Sequence, residues 1–325
     1  MLDFKSYIKG KLFLAPMDSI TDAPFRLICK ELGADVVISE FISSEGLIRD
    51  AKKTKEKLFF YEEEHPIGIQ IYGDNINSLI ESAKKVENAN PDFIDINCGC
   101  WVKDLALRGM GAGLLRDLPK MKKLVEAVVK NVKLPVTVKT RLGWDEKSIN
   151  ILEASKILED IGVQAITIHC RVRTQANKGE ANWDWIKKIK DSGIKIPLIL
   201  NGNVQNPIDV KKAFENYNPD AVMIGQAALK NPWIFKQSKY YIRYSKLENE
   251  PKISERIDTC IKHLNLCVNL KGERRGVIEF RKYYSGYLRE IKNAASIRAE
   301  LMKYTEINPI ISKLKEIKGE YYYVI

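Results

Sequence analysis

The chain has 325 residues, 45% of them hydrophobic and 29% charged, an ordinary globular composition that excludes a collagen-type repeat, a disordered polymer and a disulfide-dense miniprotein. Its 53 Lys and Arg outnumber 42 Asp and Glu, for a net charge of +11, which favours an anionic partner. No apolar run reaches the ~18–20 residues of a membrane span, and the N-terminus lacks a signal-type apolar stretch, so a cytoplasmic protein with no membrane partner is expected.

Eight short apolar runs recur along the chain: Leu12–Ala15, Asp35–Phe41, Ile67–Tyr72, Phe93–Asn97, Val136–Thr140, Ala165–His169, Leu198–Asn201 and Ala221–Gly225. Helix-like stretches fall between them at 22–32, 76–87, 120–131, 148–161, 182–191 and 206–214. Strands alternating with helices predict βαβ units and a parallel sheet. Eight such units in about 240 residues predict an α/β fold of the (β/α)8 TIM-barrel type. A doubly wound sheet is the alternative, but no Gly-x-Gly-x-x-Gly follows the first strand.

Past Pro232-Trp233 the strand runs stop. Residues 253–270, 276–291 and 294–318 read as helices, and 237–252 as the linker before them. The division expected is a barrel over 1–240 and an all-helical domain over 241–325. The second part holds 17 Lys and Arg against 11 Asp and Glu, a net of +6, leaving +5 for the first 240 residues. Such a concentration is either a solvated helical surface or a nucleic-acid footprint.

The six cysteines are Cys29, Cys98, Cys100, Cys170, Cys260 and Cys267, with no Cys-x-x-Cys pair, and histidines number three. No metal site is expected, and free thiols fit a reducing compartment. Cys29 and Cys170 read as packing residues.

Side chains alternate across a strand. In 93–97, Ile94 and Ile96 oppose Asp95 and Asn97; in 136–140, Val136 and Val138 oppose Thr137 and Lys139; in 165–169, Ile166 and Ile168 oppose Thr167 and His169. The apolar series should face the outer helices and the polar series the barrel axis. Gln70, Asn97, Lys139, His169 and Asn201 come late in five strands, at the mouth where barrel enzymes keep their active sites. Any one of them alone would be an ordinary satisfied polar residue. Five together need a polar ligand, because leaving them unpaired would cost several kcal/mol. The turns Asn201-Gly202-Asn203 and Gly225-Gln226 follow the last two strands, where barrels often bind phosphate. Cys100 stands just past the fourth strand, ahead of a long loop containing Arg108-Gly109-Met110-Gly111-Ala112-Gly113, the kind of segment that often forms a functional lid.

These residues resemble a known family. Leu14-Ala15-Pro16-Met17-Asp18-Ser19-Ile20-Thr21-Asp22-Ala23-Pro24-Phe25-Arg26, Asp95-Ile96-Asn97-Cys98-Gly99-Cys100, Lys139-Thr140-Arg141-Leu142-Gly143-Trp144, His169-Cys170-Arg171-Val172-Arg173-Thr174-Gln175, Asn201-Gly202-Asn203 and Ile224-Gly225-Gln226-Ala227-Ala228-Leu229-Lys230-Asn231-Pro232-Trp233 are similar to the motifs of the tRNA-dihydrouridine synthases, above all the bacterial B branch. The resemblance implies FMN in the barrel mouth, NADPH as electron donor and tRNA as partner, with hydride passing from flavin N5 to uridine C6 and a proton from Cys100 to C5. It places Pro16, Met17, Asp18, Gln70, Lys139 and His169 around the flavin, and Asn201, Gly202, Asn203, Gly225 and Gln226 at its phosphate. Asn97, Arg171 and Arg173 would hold the uridine and its neighbouring backbone. A monomer is expected. Three positions depart from the family pattern: Trp101 where Pro is usual, Gln226 where Arg is usual, and Tyr283 where His is common. A flavin reductase similar to the dihydroorotate dehydrogenases, and a synthase acting on ribosomal RNA, are the competing readings.

Overall fold

The computed structural model describes residues 4–321. Eight strands run parallel: β1 (Lys11–Leu14), β2 (Val36–Ile38), β3 (Ile67–Tyr72), β4 (Phe93–Cys98), β5 (Val136–Arg141), β6 (Ala165–His169), β7 (Leu198–Asn201) and β8 (Ala221–Ile224). β1 pairs with β8, Phe13 opposite Met223, and β2 pairs with β3, Val37 opposite Ile67. The sheet therefore closes into the expected barrel.

The period of two is visible in how the core divides. Leu12, Leu14, Val37, Leu198, Leu200, Val222 and Ile224 join the large apolar layer beneath the helices. Their neighbours Phe13, Val36, Ile38, Ile199 and Met223 form a separate cluster together with Phe4 and Ile8. Phe4–Ile8 is a short helix the sequence pattern does not announce, and its Phe4 meets Phe93 edge-on at 5.2 Å. Gly68 makes room there: a Cβ on it would lie 2.2 Å from the Phe93 ring.

The run 35–41 is a strand only over 36–38, and pairing with β3 resumes at Ile42–Ser43. The break has a local cause. The Gln70 N–H is taken at 3.0 Å by the Ser39 hydroxyl, which itself donates to the Glu40 carbonyl. A side chain thus replaces a backbone acceptor in the ladder.

The C-terminal part is all helical, as expected, with different boundaries. Ile234–Tyr244 is a helix, because Ile234, Phe235, Gln237 and Ser238 form a buried face; the irregular stretch is 245–252, and position 240 lies inside the helix. Ile253–Lys271 matches its expectation. The stretch 276–291 is instead two helices, Glu273–Phe280 and Tyr284–Tyr287, joined by a tighter turn at 281–283. The stretch 294–318 splits into Ala294–Leu301 and Ile307–Glu320. Pro309 explains the split: inside a continuous helix it would remove a hydrogen bond and clash with the preceding turn, whereas restarting at Ile307 places it in the first turn.

Barrel and helices share one apolar layer, which runs from Phe25 to Ile257, Phe280 and Tyr283. Phe25 stacks on Tyr283 with centroids 5.1 Å apart. The Tyr283 hydroxyl donates to the Ile20 carbonyl at 2.5 Å. Gly286 packs so closely that a Cβ would sit 2.4 Å from the Leu229 carbonyl oxygen.

Candidate active site

A cavity of about 1010 Å³ opens at the carboxyl ends of the strands, large enough for a nucleotide-sized ligand. Its wall includes Pro16, Met17 and Asp18 after β1, Asn97 and Cys100 from β4, Lys139 from β5, His169 and Arg171 from β6, Asn201, Gly202 and Asn203 from β7, and Gly225 and Gln226 from β8. Two expected residues stand elsewhere. Gln70 is fully buried, below the wall. Arg173 lies with its guanidinium 4.6 Å from the Trp144 ring, a ring that also carries Arg116 at 4.8 Å.

Gln70 is spent on holding Asn97. Its Nε2 donates to Asp95 Oδ2 at 2.6 Å, and its Oε1 accepts from Asn97 Nδ2 at 2.8 Å. Asn97 Oδ1 in turn accepts the N–H groups of Gly99 and Cys100, at 3.1 and 2.8 Å. Burial pushes the Asp95 carboxyl up to about 6, against its bonds from Gln70 and Thr137 and the charge of Lys139.

Lys139 is the cation of the site. Burial, reinforced by Arg141, pulls its ammonium down to about 8, which leaves it mostly charged at neutral pH. Among the described residues none hydrogen-bonds or ion-pairs with that ammonium, and it faces the cavity. The residue is half-buried, and a partly desolvated charge without a protein partner favours an electron-rich ligand. His169 is different. Burial and the nearby Arg141, Lys139 and Arg171 hold it well below the ordinary histidine value. It is neutral, and its Nε2 accepts from Arg171 Nη1 at 2.9 Å.

Arg141 belongs to the Lys139–Trp144 motif but carries no expected role. It is 2% exposed, and donates from Nε to the Gly99 carbonyl at 3.0 Å and from Nη1 to the carbonyls of Val172 and Ala176 at 3.2 and 2.7 Å. It ties the Cys100 turn to the loop after β6. The alternation of β5 places it close to Lys139 in sequence but does not reveal these acceptors, which come from two loops.

Cys100 is half-buried, whereas the other five cysteines are buried. Burial raises its thiol pKa, so the proton stays on sulfur at neutral pH. The segment beyond it is structured, with helices at Lys103–Leu107 and Gly111–Arg116, rather than a bare loop. Gly111 has φ +54, and a Cβ there would lie 2.8 Å from Cys100 Cβ; Ala112 N–H donates to the Cys100 carbonyl at 3.0 Å. Trp101, the residue after the cysteine, is 40% exposed at the cavity wall.

Asp18 is ion-paired to Lys57 at 2.7 Å. On the far wall, Gly202 has φ +105, and a Cβ on it would lie 2.7 Å from the His169 ring, so only glycine fits the turn. Asn201 Nδ2 donates to the Met223 carbonyl at 2.9 Å, joining the ends of β7 and β8. Lys230 and Arg289 also reach this cavity, cations that the strand-end pattern could not show because Arg289 comes from the C-terminal helices. The donor set fits flavin mononucleotide: a half-buried ammonium without a protein partner for an electron-rich ring, and glycine turns on the same cavity whose backbone N–H groups suit a phosphate.

The family model described as dihydrouridine synthase (Dus) matches residues 13–318. A protein of Rickettsia prowazekii (strain Madrid E) named probable tRNA-dihydrouridine synthase is 34% identical over 318 residues, 97% of this chain and 95% of the relative. The tRNA-dihydrouridine synthase B of Pseudomonas aeruginosa is 32% identical over 313 residues, 96% of this chain and 94% of the relative. Among solved structures, a morphinone reductase mutant in complex with tetrahydroNAD superposes with a TM-score of 0.53 at 13% identity, covering 75% of this chain and 89% of that one; at that identity the likeness shows the barrel fold alone.

Proposed function

The chain belongs to the dihydrouridine synthase family and is an enzyme; from that premise we propose that it reduces uridines of tRNA to 5,6-dihydrouridine, with FMN as cofactor and NADPH as electron donor. One observation carries the reading: a half-buried ammonium without a protein partner and a protonated thiol, Lys139 and Cys100, face the same cavity.

When bound, FMN would supply hydride chemistry, accepting a hydride from NADPH and returning one to C6 of the uracil. Pro16, Met17, Lys139 and His169 would hold the flavin ring, and Asn201 to Asn203, Gly225 and Gln226 its phosphate. Lys139 offers fixed positive charge where negative charge has to be held, a preorganised electrostatic role. Negative charge at uracil C5 is quenched by a proton from Cys100 Sγ, which the raised pKa keeps available. Arg171, on the wall with its guanidinium donating to His169 and the Gly179 carbonyl, would border the uridine. Arg173 and Arg116, which lie over Trp144, would meet RNA flanking the target. The base has to leave its stack to reach this depth, and the net +6 of residues 241–325 is the proposed source of the backbone contacts that hold the RNA there.

The test is a map of dihydrouridine in tRNA from a strain lacking the gene, with and without the gene restored. Missing dihydrouridine that returns on restoration supports the reading. An unchanged tRNA map together with loss from ribosomal RNA, or purified protein that reduces free pyrimidine and ignores tRNA, overturns it.

A further inference from the structure

Inside the barrel, four polar side chains form one hydrogen-bonded chain that points at the Cys100 turn. Thr137 Oγ1 donates to Asp95 Oδ1 at 2.5 Å. The other carboxylate oxygen takes Gln70 Nε2, and Gln70 passes the connection to Asn97. Asn97 ends it on the Gly99 and Cys100 N–H groups. The chain follows strand register: Gln70 lies opposite Asp95, and Asp95 opposite Thr137. Gln70 and Asp95 are 0% exposed, Thr137 2% and Asn97 8%.

A side-chain amide has a donor end and an acceptor end, so a row of amides has a direction. Backbone N–H groups only donate. An ionised carboxylate only accepts. With those two groups at its ends, the Gln70–Asn97 row satisfies every atom in one orientation alone, the one present. Water cannot stand in at Gln70 and Asp95, which are fully buried.

We propose that Asp95 is a positioning residue for Cys100: its carboxylate fixes the direction of the amide row and so aims the Asn97 oxygen at the N–H groups that hold the Cys100 turn. The consequence for turnover rests on the reading of Cys100 as proton donor; the placement of the turn does not. Burial raises the Asp95 carboxyl, and the bonds from Gln70 and Thr137, with the charge of Lys139 opposite Asn97 on β5, hold it down.

The carboxylate can be moved one step along the row without touching Asn97 or Cys100. In Gln70→Glu two carboxylates face each other and share one proton, so the row holds at low pH and breaks as that proton leaves. In Asp95→Asn the anchor accepts either direction. In the double variant D95N/Q70E the new amide at position 95 donates to the new carboxylate at position 70. That carboxylate accepts from Asn97, and the direction returns wherever it is ionised. The readouts, on the FMN-loaded protein, are amide exchange at Gly99 and Cys100 and the rate of Cys100 alkylation by iodoacetamide relative to wild type at the same pH. The other five cysteines are buried, so alkylation reports this thiol. Expected are exchange about tenfold faster at pH 8 than wild type for Gln70→Glu, falling toward wild type as the pH is lowered to 7, a smaller acceleration for Asp95→Asn at both pH values, and values within about twofold of wild type for the double. If Gln70→Glu does not fold, Asp95→Asn against the double carries the same comparison. Wild-type exchange and alkylation in every variant would overturn the proposal. Changed exchange with unchanged turnover would leave the positioning role standing and remove Cys100 from the chemistry.

Discussion

Lys271 Nζ lies 2.5 Å from Asp22 Oδ2, joining the C-terminal helices to the first helix of the barrel across a gap of 249 residues. Asp22 is already committed: its Oδ1 caps that helix through the Phe25 N–H at 3.1 Å. Both side chains are almost closed to solvent, 10% and 9% exposed. Burial alone would raise the Asp22 carboxyl, but Lys271 and Lys282 bring it below the ordinary value.

Removing the cation should therefore cost more than a surface pair would. Lys271→Met leaves Asp22 buried with the Tyr283 hydroxyl at 3.3 Å and no cation in contact. A broken buried pair typically costs about 3–5 kcal/mol. Urea unfolding of the variant is expected to show a loss in that range. A loss under ~1 kcal/mol would mean the pair is solvated and holds nothing together.

His263 sets an acid limit at the same junction. It is enclosed by Phe25, Phe280 and Tyr283, and burial lowers its pKa from 6.5 to about 3. The folded form stays neutral where the unfolded chain takes up a proton. Its contribution is fully present above pH 6.5 and is lost as the pH falls toward 3, at up to about 1.4 kcal/mol per pH unit. His263→Phe should flatten that part of the stability profile, whatever it does at neutral pH. An unchanged acid slope would assign the loss to carboxylates instead.

The barrel was legible in the sequence because β3 to β6 alternate with a period of two, and β7 and β8 are short apolar runs entered through turn signals. Asn97, Lys139 and His169 followed from that period, and Asn201 from its place at the end of a strand run. Gln70 followed too, yet its destination did not: alternation puts it inside the barrel, and only the register opposite Asp95 shows that both ends of its amide are taken. Arg141, Arg289 and Lys271 act through contacts between distant segments, which no local pattern encodes. The split at 301–307 was legible in Pro309, whose restriction outweighs the helical spacing on either side.

The RNA footprint can be tested without cutting the chain, which would strip Tyr283 from Phe25. Lys292, Lys303 and Lys315 are exposed, and none has an ion-pair partner among the described residues. Changing all three to Glu should weaken tRNA binding and flatten its dependence on log salt by roughly 0.7–0.9 for each phosphate that is no longer neutralised. Unchanged affinity and slope would move the footprint to another face.

Gln226 bears on cofactor retention. It is exposed at the cavity wall where the family pattern has Arg, and a charge-assisted contact to phosphate is roughly twice as strong as a neutral one. Gln226→Arg should slow FMN release, and Arg289→Ala should speed it, as followed by the recovery of free-flavin fluorescence after dilution. Equal release rates in all three proteins would assign the phosphate to backbone donors at the Gly202 and Gly225 turns.

Cys100→Ala separates packing from chemistry. If the side chain only fills space beside Gly111, its loss should cost about 1 kcal/mol of stability and leave turnover nearly intact. If it is the general acid, two measurements on the FMN-loaded enzyme should part company. Flavin reduction by NADPH should proceed at the wild-type rate, because the thiol proton has no part in it. Reoxidation by tRNA should slow by about 10²–10⁴-fold, the usual cost of losing a general acid. The raised thiol pKa adds a sign: wild-type reoxidation should fall only as the pH rises past the ordinary thiol range, and the variant should lack that fall. Anaerobic stopped-flow at several pH values reads both. An unchanged reoxidation rate would remove Cys100 from proton transfer, and a slowed reduction rate would show that the turn it occupies shapes the flavin site instead.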